Sequence, residues 1–222
     1  MTNVLTRPDL RRMAVDWQPA PAAVSCNPLA AFVRRLAEIA FCTALLALTL
    51  PLMLVTAVAI RLEGGGPVLF RQIRIGQHGA PFHVLKFRTM RTDAEPNGPV
   101  WATVNDPRIT RIGALLRRSR SDELPQLLNV LRGDMSLVGP RPERPHFVEL
   151  LAREIPGYHD RAAVKPGITG WAQVRFRYGS SVEDARRKLE YDLYYLRHRS
   201  LLLDLLILAL TVRVVLSHQG AR

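Results

Sequence analysis

The chain has 222 residues, the length of one domain with appendages, and its 31 Lys and Arg against 19 Asp and Glu give a net charge of +12. This excess of cations favours an anionic partner such as nucleic acid, anionic lipid or a phosphorylated substrate. The two cysteines lack the spacing of a disulfide framework, and the six histidines lack the spacing of zinc ligands. We therefore expect neither a disulfide-bonded secreted fold nor a zinc protein.

The amino-terminal part of the chain divides into a leader and an apolar segment. Residues 1–30 contain several prolines and no helical or alternating period, which predicts a disordered leader. Residues 34–62 are predicted to form a membrane helix, because residues 39–60 are 22 residues without a charge, more than the ~18 of a transmembrane candidate. The segment is too long for the apolar part of a cleavable signal, so we expect it in the mature protein.

A proline lies inside this apolar segment and predicts a bend. Pro51 lacks a backbone donor and clashes with the carbonyl of Ala47, and the Thr49 hydroxyl is available to the backbone group that is freed. Arginines flank the segment on both sides, and the positive-inside rule then assigns both ends to the cytoplasm. The residues leave open a kinked spanning helix and a re-entrant hairpin.

The soluble domain, residues 64–217, is predicted to open with a β-hairpin. Residues 68–75 and 81–88 are rich in β-forming residues and are separated by a short segment with two glycines. Lys86 and Arg88 share one face of the second strand. That face is either a solvated basic surface or a place where two cations bind phosphate oxygens.

The rest of the domain is predicted to be mostly helical, so that the fold class is α+β. Residues 106–116 are predicted to hold an Asp-Pro turn and then a helix, since Ile109, Ile112, Leu115 and Leu116 have helical spacing. Apolar residues at the same spacing predict helices over residues 122–132, 145–154 and 182–196. Ser181 and Asp184 have the spacing of a capping box at the start of the last of these. The final apolar block, residues 201–216, is either an amphipathic helix at the membrane interface or part of the core.

An acidic pair, Asp122 and Glu123, is the main candidate for chemistry. Pro125 is favourable only in the first turn of a helix, which predicts that the pair lies near the positive end of the helix dipole. Acidic residues are also common there as simple helix caps. Arg117 and Arg141 lie close by in the sequence pattern and suit phosphate binding, whereas two adjacent carboxylates suit Mg²⁺.

Seven motifs, in order along the chain, resemble those of the bacterial sugar transferase family, the monotopic phosphoglycosyl transferases. They are GPV (66–68), FRQIRIG (70–76), KFRTM (86–90), DPRITRIG (106–113), DELPQ (122–126), MSLVGPRP (135–142) and KPGITG (165–170). The segments SVEDAR (181–186) and RSLLLD (199–204) are most similar to the branch associated with exopolysaccharide synthesis and exosortase systems.

The resemblance implies transfer of a sugar-1-phosphate from a UDP-sugar to undecaprenyl phosphate, with release of UMP. It implies that Asp122 is the nucleophile, through a phosphosugar-aspartyl intermediate, and that Glu123 is its partner, with a Mg²⁺ cofactor at the pair. Lys86, Arg117 and Arg141 match phosphate-binding positions of the family. Arg88 is a further candidate, because it is predicted to share a strand face with Lys86. Asp192 matches a further family acid without a defined role.

The resemblance also implies a re-entrant membrane helix, with the catalytic domain on the cytoplasmic face of the bacterial inner membrane. In the family this helix breaks at a Ser-Pro pair, which is Leu50-Pro51 here, so one hydroxyl is missing. Two other functions stay open: a membrane-tethered basic protein and an inactive scaffold of a polysaccharide assembly complex. We expect no nucleic acid partner, since no aromatic and basic platform is evident. The sugar, the polymer and whether the chain forms a homo-oligomer are left open.

Overall fold

The computed structural model describes residues 28–95, 103, 106–176 and 181–217. Most of the predicted leader, residues 1–27, lies outside these. The helices are α1 (Pro28–Glu63), α2 (Arg111–Ser119), α3 (Gln126–Arg132), α4 (Pro145–Glu154), α5 (Trp171–Arg175), α6 (Val182–His198) and α7 (Leu201–Leu216). The strands are β1 (Leu69–Ile75), β2 (Pro81–Phe87), β3 (Ser136–Val138) and β4 (Gly167–Thr169). The predicted class, a mostly helical α+β fold, is confirmed.

Helix α1 carries the predicted membrane segment. It begins at Pro28, earlier than predicted, because proline is well suited to the first helical position. In the described part of the chain it is the one helix long and apolar enough to cross a membrane, and only 11% of its most apolar 18-residue window is buried. Pro51 lies inside the helix, and the Thr49 hydroxyl donates to the carbonyl of Leu45 at 2.7 Å rather than to that of Ala47.

The predicted hairpin is confirmed. Strands β1 and β2 pair antiparallel, with Leu69 opposite Phe87 and Phe70 opposite Lys86. The connection contains two residues in the left-handed region, His78 (φ 55°) and Gly79 (φ 74°), which lets two strands turn over a few residues. Apolar side chains of β2 pack against α1 and α3, so the hairpin is fixed to the core.

The predicted Asp-Pro turn is confirmed, whereas the predicted start of the next helix is wrong. Asp106 is paired with Arg108 at 2.5 Å in this turn, and α2 begins at Arg111, because Thr110 caps it by accepting a bond from the amide of Gly113. The acidic pair lies in a separate 3₁₀ turn, Ser121–Glu123, and α3 starts only at Gln126. The pair is therefore not in the first turn of α3.

The carboxy-terminal helices agree with the sequence patterns. The capping box of Ser181 and Asp184 is confirmed at the start of α6. Helix α7 has a buried side at Asp204 and Ile207 and an exposed apolar side that includes Leu202. The helix therefore contributes to the core with one side, and the interfacial interpretation stays a prediction for its exposed apolar side. A short parallel pair of strands, β3 and β4, lies beneath it and had no sequence signal.

Candidate functional site

The acidic pair is held on a short connection between two helices. Arg120 adopts a left-handed conformation (φ 58°, ψ 12°) that ends α2, and the 3₁₀ turn containing Asp122 and Glu123 follows. Pro125, with φ −61°, then leads into α3. Asp122 is only 8% exposed. Its carboxylate is therefore shielded from bulk water.

Two cations converge on the second acid of the pair. Glu123 Oε1 accepts bonds from the Lys86 ammonium and the Arg141 guanidinium, both at 2.7 Å. Lys86 comes from β2 and Arg141 from the loop after β3, so the contact joins three separate segments of the chain. The structure thus brings together four of the predicted site residues.

A buried asparagine that the sequence reasoning missed sets the position of Lys86. Asn129 on α3 accepts a bond from the amide of Leu85 at 3.0 Å and donates to the carbonyl of His83 at 2.7 Å. It therefore occupies the free edge of β2 beside Lys86, as a neighbouring strand would. The available signal was a polar residue inside the apolar stripe of α3.

Close backbone packing holds the loop that carries Arg141. Gly139 and Gly167 approach so closely that a Cβ on either would come within 2.4 Å of a backbone atom. Gly139 donates to the carbonyl of Thr169, and Gly167 donates to that of Pro140, each at 2.9 Å. Any side chain at these glycines would force the loop away from β4.

The two carboxylates differ in their electrostatics. Burial alone raises the pKa of Glu123, but the charges of Arg141 and Lys86 outweigh it and hold that pKa well below its usual range. Burial also raises the pKa of Asp122, and the charge of Lys86 opposes the rise only in part. Asp122 is therefore the more basic of the two, and a more basic oxygen is the stronger nucleophile of an otherwise similar pair.

The other predicted residues lie in three different settings. Arg117 donates to Thr89 Oγ1 at 2.9 Å, and its charge counteracts the effect of burial on Asp122. Arg88 is not brought to the acidic pair: it donates to the carbonyls of residues 64 and 65 in the turn after α1. Asp192 is buried in an ion pair with Arg161.

The predicted metal ligands fit a magnesium ion unequally. In the part of the chain that the structure describes, no three His, Cys, Asp or Glu side chains group as metal ligands. Mg²⁺ needs fewer protein ligands, since it usually takes one or two carboxylates with substrate phosphates and waters. Glu123 Oε1 already accepts bonds from two cations. The fit therefore depends mainly on Asp122.

A buried acidic pair beside fixed cations suits a phosphorylated substrate, because phosphoryl transfer depends mainly on positioning and on positive charge. The chain belongs to the bacterial sugar transferase family, whose model matches residues 29–218. The predicted family is confirmed.

Several relatives have printed names that describe their activity. The chain is 47% identical over 196 residues to the UDP-N-acetylgalactosamine-undecaprenyl-phosphate N-acetylgalactosaminephosphotransferase of Aeromonas hydrophila, covering 88% of this chain and 46% of the relative. It is 43% identical over 182 residues to the UDP-glucose:undecaprenyl-phosphate glucose-1-phosphate transferase of Escherichia coli (strain K12), covering 81% and 39%. A protein of the same name from Caulobacter vibrioides is 45% identical over 190 residues, covering 85% and 71%. The chain spans less than half the length of the first two.

Proposed function

We propose that this chain is a phosphoglycosyl transferase, which moves a sugar-1-phosphate from a UDP-sugar to undecaprenyl phosphate and releases UMP. Family membership and the names of the relatives support this reaction class. The observation that carries the proposal is the convergence of Lys86 and Arg141 on Glu123, beside the more basic Asp122. This arrangement offers a nucleophile and fixed positive charge within one buried site.

The proposed chemistry has two displacements at phosphorus. A carboxylate oxygen of Asp122 attacks the β-phosphorus of the UDP-sugar, the bond from that phosphorus to the bridging oxygen breaks, and UMP leaves with the electron pair. A phosphate oxygen of undecaprenyl phosphate then attacks the same phosphorus and releases the Asp122 carboxylate. The products are undecaprenyl diphosphate-sugar and the regenerated enzyme.

The cations keep donors for the substrate while they hold Glu123. Lysine has three N–H donors and arginine five, and within the described part of the chain each uses one in its 2.7 Å bond to Glu123. Their remaining donors are available to diphosphate oxygens, and the planar guanidinium of Arg141 suits two oxygens at once. Glu123 therefore orients both cations and stays ionised, which leaves attack at phosphorus to Asp122.

Mg²⁺ forms part of the proposal, with Asp122 as its principal protein ligand. When bound, the ion neutralises charge on the diphosphate. Calcium of equal concentration is a matched control, because its larger radius favours more ligands than this site supplies. We expect UMP release to fall after chelation and to return with Mg²⁺ but not Ca²⁺.

Both ends of α1 contact the same domain, which supports the re-entrant topology. Near its start, Arg35 donates to the carbonyls of Val130 and Leu131 at 2.7 and 3.0 Å. At its end, the Glu63 carboxylate accepts from the amide of Ile112 at 3.0 Å. A straight helix of this length spans about 54 Å, more than the ~30 Å bilayer core, and would leave its two ends on opposite sides.

We place this domain on the cytoplasmic face of the inner membrane, where the reaction starts exopolysaccharide or related glycan synthesis. Arg34, Arg35 and Arg61 flank the apolar segment on both sides, as expected for two cytoplasmic ends. Single cysteines introduced before and after α1 would then be labelled by a membrane-impermeant reagent from the cytoplasmic side alone. Labelling of one end from the periplasm would contradict the topology.

The function is tested by acceptor-dependent release of UMP. The purified full chain in detergent is incubated with Mg²⁺, undecaprenyl phosphate and single UDP-sugars, starting with UDP-glucose and UDP-N-acetylgalactosamine. We expect UMP and a lipid-linked sugar in equal amounts with at least one donor. An inactive scaffold would release no UMP from any donor, and that result would overturn the proposal.

A further inference from the structure

The loop that carries Arg141 is held through three successive backbone carbonyls. Pro140 O accepts from the amide of Gly167 at 2.9 Å, Arg141 O from the Arg161 guanidinium at 3.0 Å, and Pro142 O from the Arg74 guanidinium at 3.0 Å. The donors come from three different segments of the chain. Because Pro140 and Pro142 have no N–H, these carbonyls are main anchors of the loop.

Arg161 is itself fixed from three directions. Two of its nitrogens, Nε and Nη2, lie 3.0 and 2.7 Å from Asp192 Oδ2, and Nη1 donates to the Tyr158 hydroxyl at 2.9 Å. The Asp192 side chain is 2% exposed and that of Arg161 is 13% exposed. A buried ion pair whose donors are engaged in this way is rigid. From this pair, Arg161 Nη2 also donates to the backbone carbonyl of Arg141.

We propose that Arg161, held in place by Asp192, is a positioning residue that sets the location of the Arg141 guanidinium against Glu123. This inference rests on the proposed function, since it concerns how the cation meets the diphosphate of the donor. It gives the buried acid Asp192 a role that needs no contact with substrate. Arg161 bonds to the backbone carbonyl of Arg141 itself. A displacement of about 1 Å in a functional side chain can lower activity about 100-fold.

The chain offers a closely matched control pair. Arg144 donates to both oxygens of Glu95, at 2.8 and 2.9 Å, and its side chain is 15% exposed, nearly the same as Arg161. It lies three residues after Arg141, but these bonds go to Glu95 and not to the loop backbone. If the loss of any buried arginine–carboxylate pair lowered activity, variants of Arg144 and of Arg161 would be affected equally.

The test compares conservative variants by UMP release and by thermal unfolding. We expect Arg161→Lys and Asp192→Asn to lower kcat/KM by about 10- to 100-fold, and Tyr158→Phe by about two- to fivefold, since it removes only one outer bond. Arg144→Lys should stay within about twofold of the wild type. Tyr158→Phe keeps the packing of its ring, so it remains informative if the charge-altering variants do not fold.

A double-mutant cycle separates positioning from a general structural role. If Asp192 acts through Arg141, Asp192→Asn should lower kcat/KM by no more than about twofold in an Arg141→Lys background, instead of 10- to 100-fold. Losses that multiply in full, or an equal loss for Arg144→Lys, would overturn the assignment while leaving the proposed function standing. Absence of UMP release from the wild type with every donor would overturn both.

Discussion

Two of the charged clusters among the described residues differ in how their cations are bound. The docking cluster, defined by Arg34, Arg35, Glu38 and Asp204, joins the start of α1 to the domain through ion pairs and bonds to the backbone. The site cluster, defined by Lys86, Arg141, Asp122 and Glu123, brings two cations to one carboxylate oxygen.

The docking cluster makes its contacts within the protein. Arg34 Nε lies 3.0 Å from Asp204 Oδ2, and the carboxylate of Glu38 accepts from the hydroxyl of Ser136 and the amide of Leu137. Arg35 donates to carbonyls near the end of α3. The charges of this cluster therefore hold α1 against the domain. In the site cluster, Lys86 and Arg141 have donors beyond their bonds to Glu123, which a phosphorylated substrate would satisfy.

The largest effect that we expect tests the difference between the two site acids. Asp122→Asn removes the proposed nucleophile and should lower UMP release by at least about 1,000-fold. Glu123→Gln should retain measurable turnover, because it disturbs only the orientation of Lys86 and Arg141. Steady-state UMP release measures both. An equal loss of activity in the two variants would contradict the separate roles of Asp122 and Glu123 that their opposite pKa shifts support.

Removing a cation from the site should lower activity and change its pH dependence. The charge of Lys86 lowers the pKa of both Asp122 and Glu123. Lys86→Met should therefore raise both pKa values, so that the carboxylates are protonated, and activity is lost, at a higher pH than in the wild type. We also expect a loss of about 100-fold at the optimum. The exposed Arg71→Gln on the paired strand is the control, and an unshifted acid limb in Lys86→Met would contradict the assignment.

The docking cluster should affect stability rather than chemistry. Asp204→Asn leaves Arg34 without its charge partner and should cost about 2 kcal/mol, or about 4–8 °C in the thermal midpoint. Turnover below that temperature should stay within about twofold. Glu190→Gln, at an exposed position of α6, controls for loss of an acid. A loss of turnover without a change in the midpoint would show that the two clusters are not separate in function.

The smallest effect concerns a cap that belongs to neither cluster. Ser181 and Asp184 bond reciprocally at the start of α6, so Ser181→Ala should cost about 1 kcal/mol and speed amide exchange in the first turn of that helix. Ser200 caps α7 with one bond, to the amide of Leu203 at 3.2 Å. Ser200→Ala should therefore cost less. Hydrogen exchange of both variants checks the order.

Local sequence patterns were sufficient for much of the fold. The hairpin, the capping box of α6 and the bounds of helices α4 and α7 follow from neighbours within a few residues. The left-handed Arg120 was not predicted, because a non-glycine residue in that conformation has no simple sequence signal. Because of this conformation, the acidic pair lies in a separate 3₁₀ turn instead of in the predicted first turn of a helix.

The sequence motifs predicted residues of the candidate site but not the residues that support them. Asp122, Glu123, Lys86 and Arg141 followed from motifs, whereas Asn129 and Arg161 act across 20 to 46 residues of sequence. Such long-range contacts depend on the final packing, which periodicity does not report. The same reason explains Arg88, which lies one residue after the end of β2 and donates to carbonyls of the turn after α1.

The covalent route through Asp122 is tested most directly by the mass of the intact chain after incubation with a donor but no acceptor. We expect an added sugar-phosphate on the wild type, located at Asp122 by peptide mapping and lost when undecaprenyl phosphate is added. We expect no adduct on Asp122→Asn and an adduct that still forms on Glu123→Gln. An adduct that survives Asp122→Asn, or turnover by the wild type with no adduct at any time of sampling, would contradict a covalent route through Asp122.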